Sequence, residues 1–182
     1  VSKDAGTSKS ATLTAASLTG ANADRYTLTI VGAPTATAVI SPKELTVSGS
    51  FTTANKVYDA LKTATVTDFS QLQLNGIIGA DNVAIFQIQA QFNSKNVGVG
   101  KEVSISSSSL TGNESGNYTV NLTGSSTSIA TITTKSISLA GSFTVAQKEY
   151  DGNTSASISV NALSLNGLIS GDVVGFASIT TS

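Results

Sequence analysis

KELTVSGSFT, beginning at Lys43, returns as KSISLAGSFT at Lys135, an offset of 92 residues. The same offset joins KVYDA at Lys56 to KEYDG at Lys148, and SLTGANADRYTLTI at Ser17 to SLTGNESGNYTVNL at Ser109. LNGIIGADNV at Leu74 and LNGLISGDVV at Leu165 lie 91 apart, a one-residue deletion in a loop. Self-similarity at one fixed period constrains the fold more than any single motif, because whatever the unit is, the chain must hold its parts in duplicate. The window starts mid-unit. Residues 1–43 match the second half of a unit, 44–134 make a complete one, and 135–182 match a first half. Boundaries at VISPKEL and TITTKSI fit this phase, with Pro42 stiffening a junction. A phase with boundaries near Phe92 is the alternative.

The unit reads as all-β. ELTVSGSF, TATVTDF, QLQLN, VAIFQIQAQF, EVSISSS, YTVNL and SIATIT alternate apolar with small or polar residues, the period-two signature of half-buried strands. About seven strands at short spacing predict a sandwich. Asn75-Gly76 and Asn166-Gly167 end the QLQLN-type strands in tight turns. NADRY is expected to form a single helical turn at most. Phe51, Phe143 and the paired tyrosines, Tyr26 with Tyr118 and Tyr58 with Tyr150, are expected in cores. So are Phe86 and Phe92, evenly spaced on one strand.

Composition narrows the chemistry. Charged residues are only 12% of the chain and the net charge is −1, so no basic face is expected to neutralise nucleic-acid phosphates. His, Cys, Met and Trp are missing. Thiolate and imidazole chemistry, Cys/His zinc sites and disulfides are thereby excluded. No apolar run reaches the length of a membrane span, so no membrane insertion is expected in this segment. VSKDAGTSKS lacks the apolar core of a signal peptide, so an export signal is expected outside this sequence.

ESGNYTV places Glu114, Gly116 and Tyr118 at alternate positions, the pattern of a tyrosine corner in a Greek-key sandwich. NADRYTL keeps Tyr26 but puts Asp24 where Gly116 stands. The expected fold class is therefore tandem Ig-like Greek-key β-sandwich units of about 92 residues, with a β-grasp-like unit as the alternative.

The order of these motifs resembles the YDG domain, a repeat module of large bacterial surface adhesins and filamentous-haemagglutinin-like exoproteins. The residues carrying the likeness are Lys148, Tyr150, Asp151 and Gly152, matched by Lys56, Tyr58 and Asp59. With them come Gly79 or Ala80 with Asp81, Gly171 with Asp172, NVGVGK from Asn96 to Lys101, and Asn117-Tyr118. Ala60 departs from the motif's glycine, and DAGTSK at Asp4 keeps NVGxGK only loosely. The resemblance implies repeated extracellular β-modules of an adhesin stalk at the bacterial surface, associated with biofilm, whose partners are neighbouring modules of the same array. Surface glycans or matrix are a further class of partner, and half-modules completed between chains of a filament are another reading.

Each chemical use of the motif has a simpler competitor. Tyr and Asp adjacent on a strand point to opposite faces, so no catalytic pair and no enzyme activity are expected. The structural reading packs Tyr58 and Tyr150 inward while Asp59 and Asp151 cap a turn. Ala60 in place of Gly152 argues against a strictly glycine-only backbone angle. Asp59, Asp81, Asp151 and Asp172 are calcium candidates, but no DxDxDG loop accompanies them, so no metal and no cofactor are expected. Lys56 or Lys101 could supply a covalent Lys–Asn crosslink. Asn113, Asn117, Asn121 and Asn153 sit in glycan-acceptor sequons that a Ser/Thr/Asn-rich chain also produces by chance.

Overall fold

The computed structural model describes residues 2–181. The chain is all-β and sandwich-like. Among the described residues fourteen strands run in chain order: β1 (Gly6–Thr12), β2 (Thr35–Ile40), β3 (Lys43–Ser48), β4 (Thr52–Thr53), β5 (Lys56–Val57), β6 (Thr63–Ala64) and β7 (Val66–Asp68) come first. They are followed by β8 (Gln73–Asn75), β9 (Ala84–Phe92), β10 (Gly98–Thr111), β11 (Tyr118–Asn121), β12 (Thr127–Thr133), β13 (Ser138–Val145) and β14 (Ile158–Asn166). The single helical turn expected at NADRY is a 3-10 turn over Ala23–Arg25, repeated at Ser115–Asn117.

The central unit has two layers. One is a five-stranded sheet in the order β5-β12-β10-β9-β6, the other a three-stranded sheet in the order β11-β3-β8. Alternate side chains meet between them: Val47 from β3, Ile88, Ala90 and Phe92 from β9, Val103 and Ile105 from β10, and Ala130 and Ile132 from β12. Burying each large side chain contributes about 1.5–3 kcal/mol. Two edges are parallel rather than antiparallel. β11 pairs with β3 from Tyr118↔Lys43 to Asn121↔Thr46, and β12 pairs with β5 at Ile132↔Lys56 and Thr133↔Val57. These pairings tie the end of the unit to its beginning.

Phe86 departs from expectation. Phe92 is 1% exposed, but Phe86 is on the outside. The register between β9 and β10 jumps from Gln87↔Ser109 to Ile85↔Leu110, leaving Phe86 unpaired in a bulge. One extra residue reverses the facing of everything beyond it, so Ile85 rather than Phe86 packs toward the core.

The flanking half-units keep the local structure but not the packing. Hairpin β1–β2 pairs Gly6↔Ile40 and Lys9↔Ala38, reproducing at 92 residues the β10–β12 pairs Gly98↔Ile132 and Lys101↔Ala130. Hairpin β13–β14 pairs Leu139↔Leu165, the counterpart of Val47↔Leu74 in β3–β8. Yet among the described residues every buried hydrophobic lies between Leu45 and Ile132. Phe143, at the place of Phe51, and Tyr26, at the place of Tyr118, are exposed, against expectation. The reason is geometric: a two-stranded hairpin has one apolar face and nothing in its own half-unit to lay over it.

Candidate functional site

The K-x-Y-D motif begins on β5 and immediately leaves it. Tyr58 N–H donates to the Thr133 carbonyl at 2.9 Å, one last bond to β12, and the chain then turns. The Asp59 carboxylate accepts the Leu61 N–H at 2.9 Å, the side-chain turn expected of an aspartate here. Lys56 closes the loop: its Nζ donates to Asp59 Oδ1 at 2.7 Å, the Leu61 carbonyl at 2.8 Å and the Thr63 carbonyl at 3.0 Å. It also lies 5.5 Å from the centre of the Phe92 ring. The second copy repeats the loop, with Lys148 Nζ on Asp151 Oδ1 at 2.8 Å and on the Asn153 carbonyl at 2.8 Å. Since that copy forms over no core, the loop geometry is encoded locally. The lysine and a backbone N–H hold the Asp59 and Asp151 carboxyls below their ordinary range.

Both loops require a left-handed backbone. Ala60 has φ +63° and Gly152 φ +76°, so the substitution of glycine by alanine did not relax the angle, contrary to expectation. The looser copy of NVGxGK behaves the same way: Ser8, at the place of Gly100, has φ +58°. Ser8 and Ala60 are the two non-glycine residues with positive φ among the described residues. Ser8 sits in the bulge between the Gly6↔Ile40 and Lys9↔Ala38 pairs, and Ala60 in the loop that Lys56 closes on Asp59.

The tyrosines serve three different environments. Tyr118 is buried, and its hydroxyl donates to Asp81 Oδ2 at 2.6 Å while accepting the Ile78 N–H at 3.1 Å. The aspartate beside it pushes the phenol's pKa up. This differs from the expected tyrosine corner, since the hydroxyl reaches the loop after β8 instead of backbone a few residues upstream. Glu114 Oε2 accepts the Asn82 N–H at 2.9 Å, fastening the 3-10 turn to the same loop. A β-carbon on Gly116 would meet nothing within 4 Å, which explains why the other copy holds Asp24 there.

Tyr58 is half-buried against the core, and its hydroxyl donates to Asp172 Oδ1 at 3.1 Å, in the following half-unit. That aspartate pushes the Tyr58 phenol up as well. Tyr150, expected to pack inward, is 98% exposed. Tyr and Asp of the motif lie in a loop and not on opposite faces of a strand, yet they still do not share a pocket.

The four calcium candidates are engaged elsewhere: Asp59 and Asp151 by lysines, Asp81 and Asp172 by tyrosines. Among the described residues no three acidic groups converge. The crosslink candidate Lys101 donates to Ser94 Oγ at 2.7 Å. Of the sequon asparagines, Asn117 and Asn121 have side chains bonded within the fold, Asn117 to the Ala5 N–H and Asn121 to Glu44. The role of Asp81 and Asp172 as tyrosine acceptors was not anticipated. Their recurrence one unit apart was the available signal, but a partner 114 positions away is visible only in three dimensions.

Residues 41–129 match the family model described as the YDG domain. No curated protein and no solved structure matches the chain.

Proposed function

The central unit is a YDG domain, and on that premise we propose that the chain is a spacer segment of a repetitive bacterial surface adhesin, holding a distal binding region away from the cell. The mechanism is mechanical. Each complete unit buries its own core, and short connections such as Ser41-Pro42 limit bending, so length grows with the number of units.

The observation that supports this reading is the pair of parallel edges. The unit begins at β3, bonded in parallel to β11, and ends at β12, bonded in parallel to β5. Tension drawn from the start of β3 and the end of β12 slides each strand along a parallel partner held from the opposite end. The bonds of each ladder are then loaded together in shear instead of opening one at a time.

Single-molecule pulling from the two chain ends tests it. The central unit is expected to yield in one discrete event, releasing roughly 300 Å of chain at about 3.3–3.6 Å per residue. Smooth extension with no discrete event would contradict a load-bearing role.

A further inference from the structure

The two places where units meet share four equivalent lining positions. Where the first half-unit meets the central unit, Ala5, Ile40, Lys43, Ile78, Asp81 and Tyr118 enclose a small cavity. Where the central unit meets the last half-unit, Val97, Lys135, Ile169 and Asp172 take the places of Ala5, Lys43, Ile78 and Asp81, and Tyr58 joins them. Each junction shows a different part of one arrangement. Asp81 anchors its own unit's Tyr118 through Oδ2, and its Oδ1 faces the preceding unit, with Lys3 Nζ at 3.8 Å. Asp172 accepts Tyr58 of the preceding unit through Oδ1.

From this we propose that the aspartate of the GAD/GD loop is a clasp between consecutive units: one carboxylate oxygen holds the buried tyrosine of its own unit, and the other receives the K-x-Y-D tyrosine of the unit before it. The motif tyrosine is then a junction residue. Its ring packs on its own core, its hydroxyl crosses to the next unit, and the lysine-closed loop fixes where the hydroxyl points. The bond spans two bodies, so it sets their relative rotation, which a flexible tether could not do. An uncharged phenol meeting a carboxylate makes a directional, charge-assisted bond, here at 3.1 Å. This inference rests on the array reading above and specifies how its units are held in line.

The test uses the full 182-residue chain, which has no cysteine of its own. Spin labels at Gln89→Cys and Ser164→Cys, both exposed, report the distance between the central unit and the last half-unit. Tyr58→Phe and Asp172→Asn are each expected to broaden that distance distribution at least twofold, and the double substitution no further. Melting of the central unit should be unchanged in both. Asp81→Asn, by contrast, should lower the melting temperature, because Tyr118 is in the core. Unchanged widths in both single variants would overturn the clasp, as would a Tyr58→Phe variant whose only effect is to lower the melting temperature. Either failure leaves the spacer reading standing, since that reading is judged by the discrete unfolding event under load.

Discussion

Replacing Ala60 with glycine should make the central unit more stable, although it deletes atoms from a partly buried position. Ala60 is held at φ +63° by the loop that Lys56 and Asp59 close around it. An L-residue with a β-carbon in that region loses about 1–2 kcal/mol relative to the right-handed form. Glycine removes this strain but gives the unfolded chain more freedom, which costs about 0.4–1 kcal/mol. The net gain is about 0.5–1 kcal/mol. For a unit of this size that corresponds to a rise of about 2–8 °C in melting temperature.

Calorimetry and urea unfolding of the 182-residue chain would measure it, with the m-value required to stay constant so that the change belongs to stability alone. The reverse exchange, Gly152→Ala, is the control. That loop lies over no buried core, so the cooperative transition should not move. A neutral or destabilised Ala60→Gly would refute the strain argument, and would mean that the alanine methyl contributes more by packing than it loses by conformation.

The remaining predictions test other parts of the unit. Gly49 has φ +95°, and a β-carbon there would sit 2.0 Å from the Gln71 carbonyl oxygen; Gly49→Ala should cost about 3 kcal/mol or more by denaturant unfolding. Phe92→Ala, in the middle of the core, should cost about 3–5 kcal/mol in the same assay. Stability should also depend on pH in two directions. The Asp59 carboxyl is lowered from 3.8 by Lys56, so its contribution is present above that value and is lost as pH falls below it through the folded pKa; Asp59→Asn should flatten this acid limb of a melting-temperature profile. The Tyr118 phenol is raised from 10.0 by Asp81, so its contribution is present below pH 10 and is lost as pH rises through the higher folded value. Tyr118→Phe should flatten that alkaline limb.

Much of the fold was legible because it is local. Period-two alternation marked most of the unit's strands, since it depends only on neighbours along the chain. TATVTDF, however, breaks at Thr65 into β6 and β7 in different sheets, and the turn expected at Asn75-Gly76 closes later, where the Asp81 N–H donates to the Ile78 carbonyl. Phe86 was misplaced for the same reason in reverse. Alternation assumes an unbroken pleat, and the bulge opposite Ser109 and Leu110 is a property of the pair of strands, not of either one. The loop at Ala60 misled differently. Alanine there suggested a relaxed angle, whereas the loop that the lysine closes keeps the left-handed angle in both copies.

The sequence by itself determined the repeated unit, its β character, and the closed loop of K-x-Y-D, which forms equally at Lys148 where no core supports it. All of these rest on interactions within a few residues, or on comparison of one copy with the other. Tertiary structure decided which copy of each residue is buried and what each tyrosine does. Tyr58 and Tyr150 stand in identical motifs, yet one reaches an aspartate 114 positions away and the other points into solvent. Burial and long-range hydrogen bonds depend on which strands lie opposite, and identical segments acquire different roles when only one of them is covered.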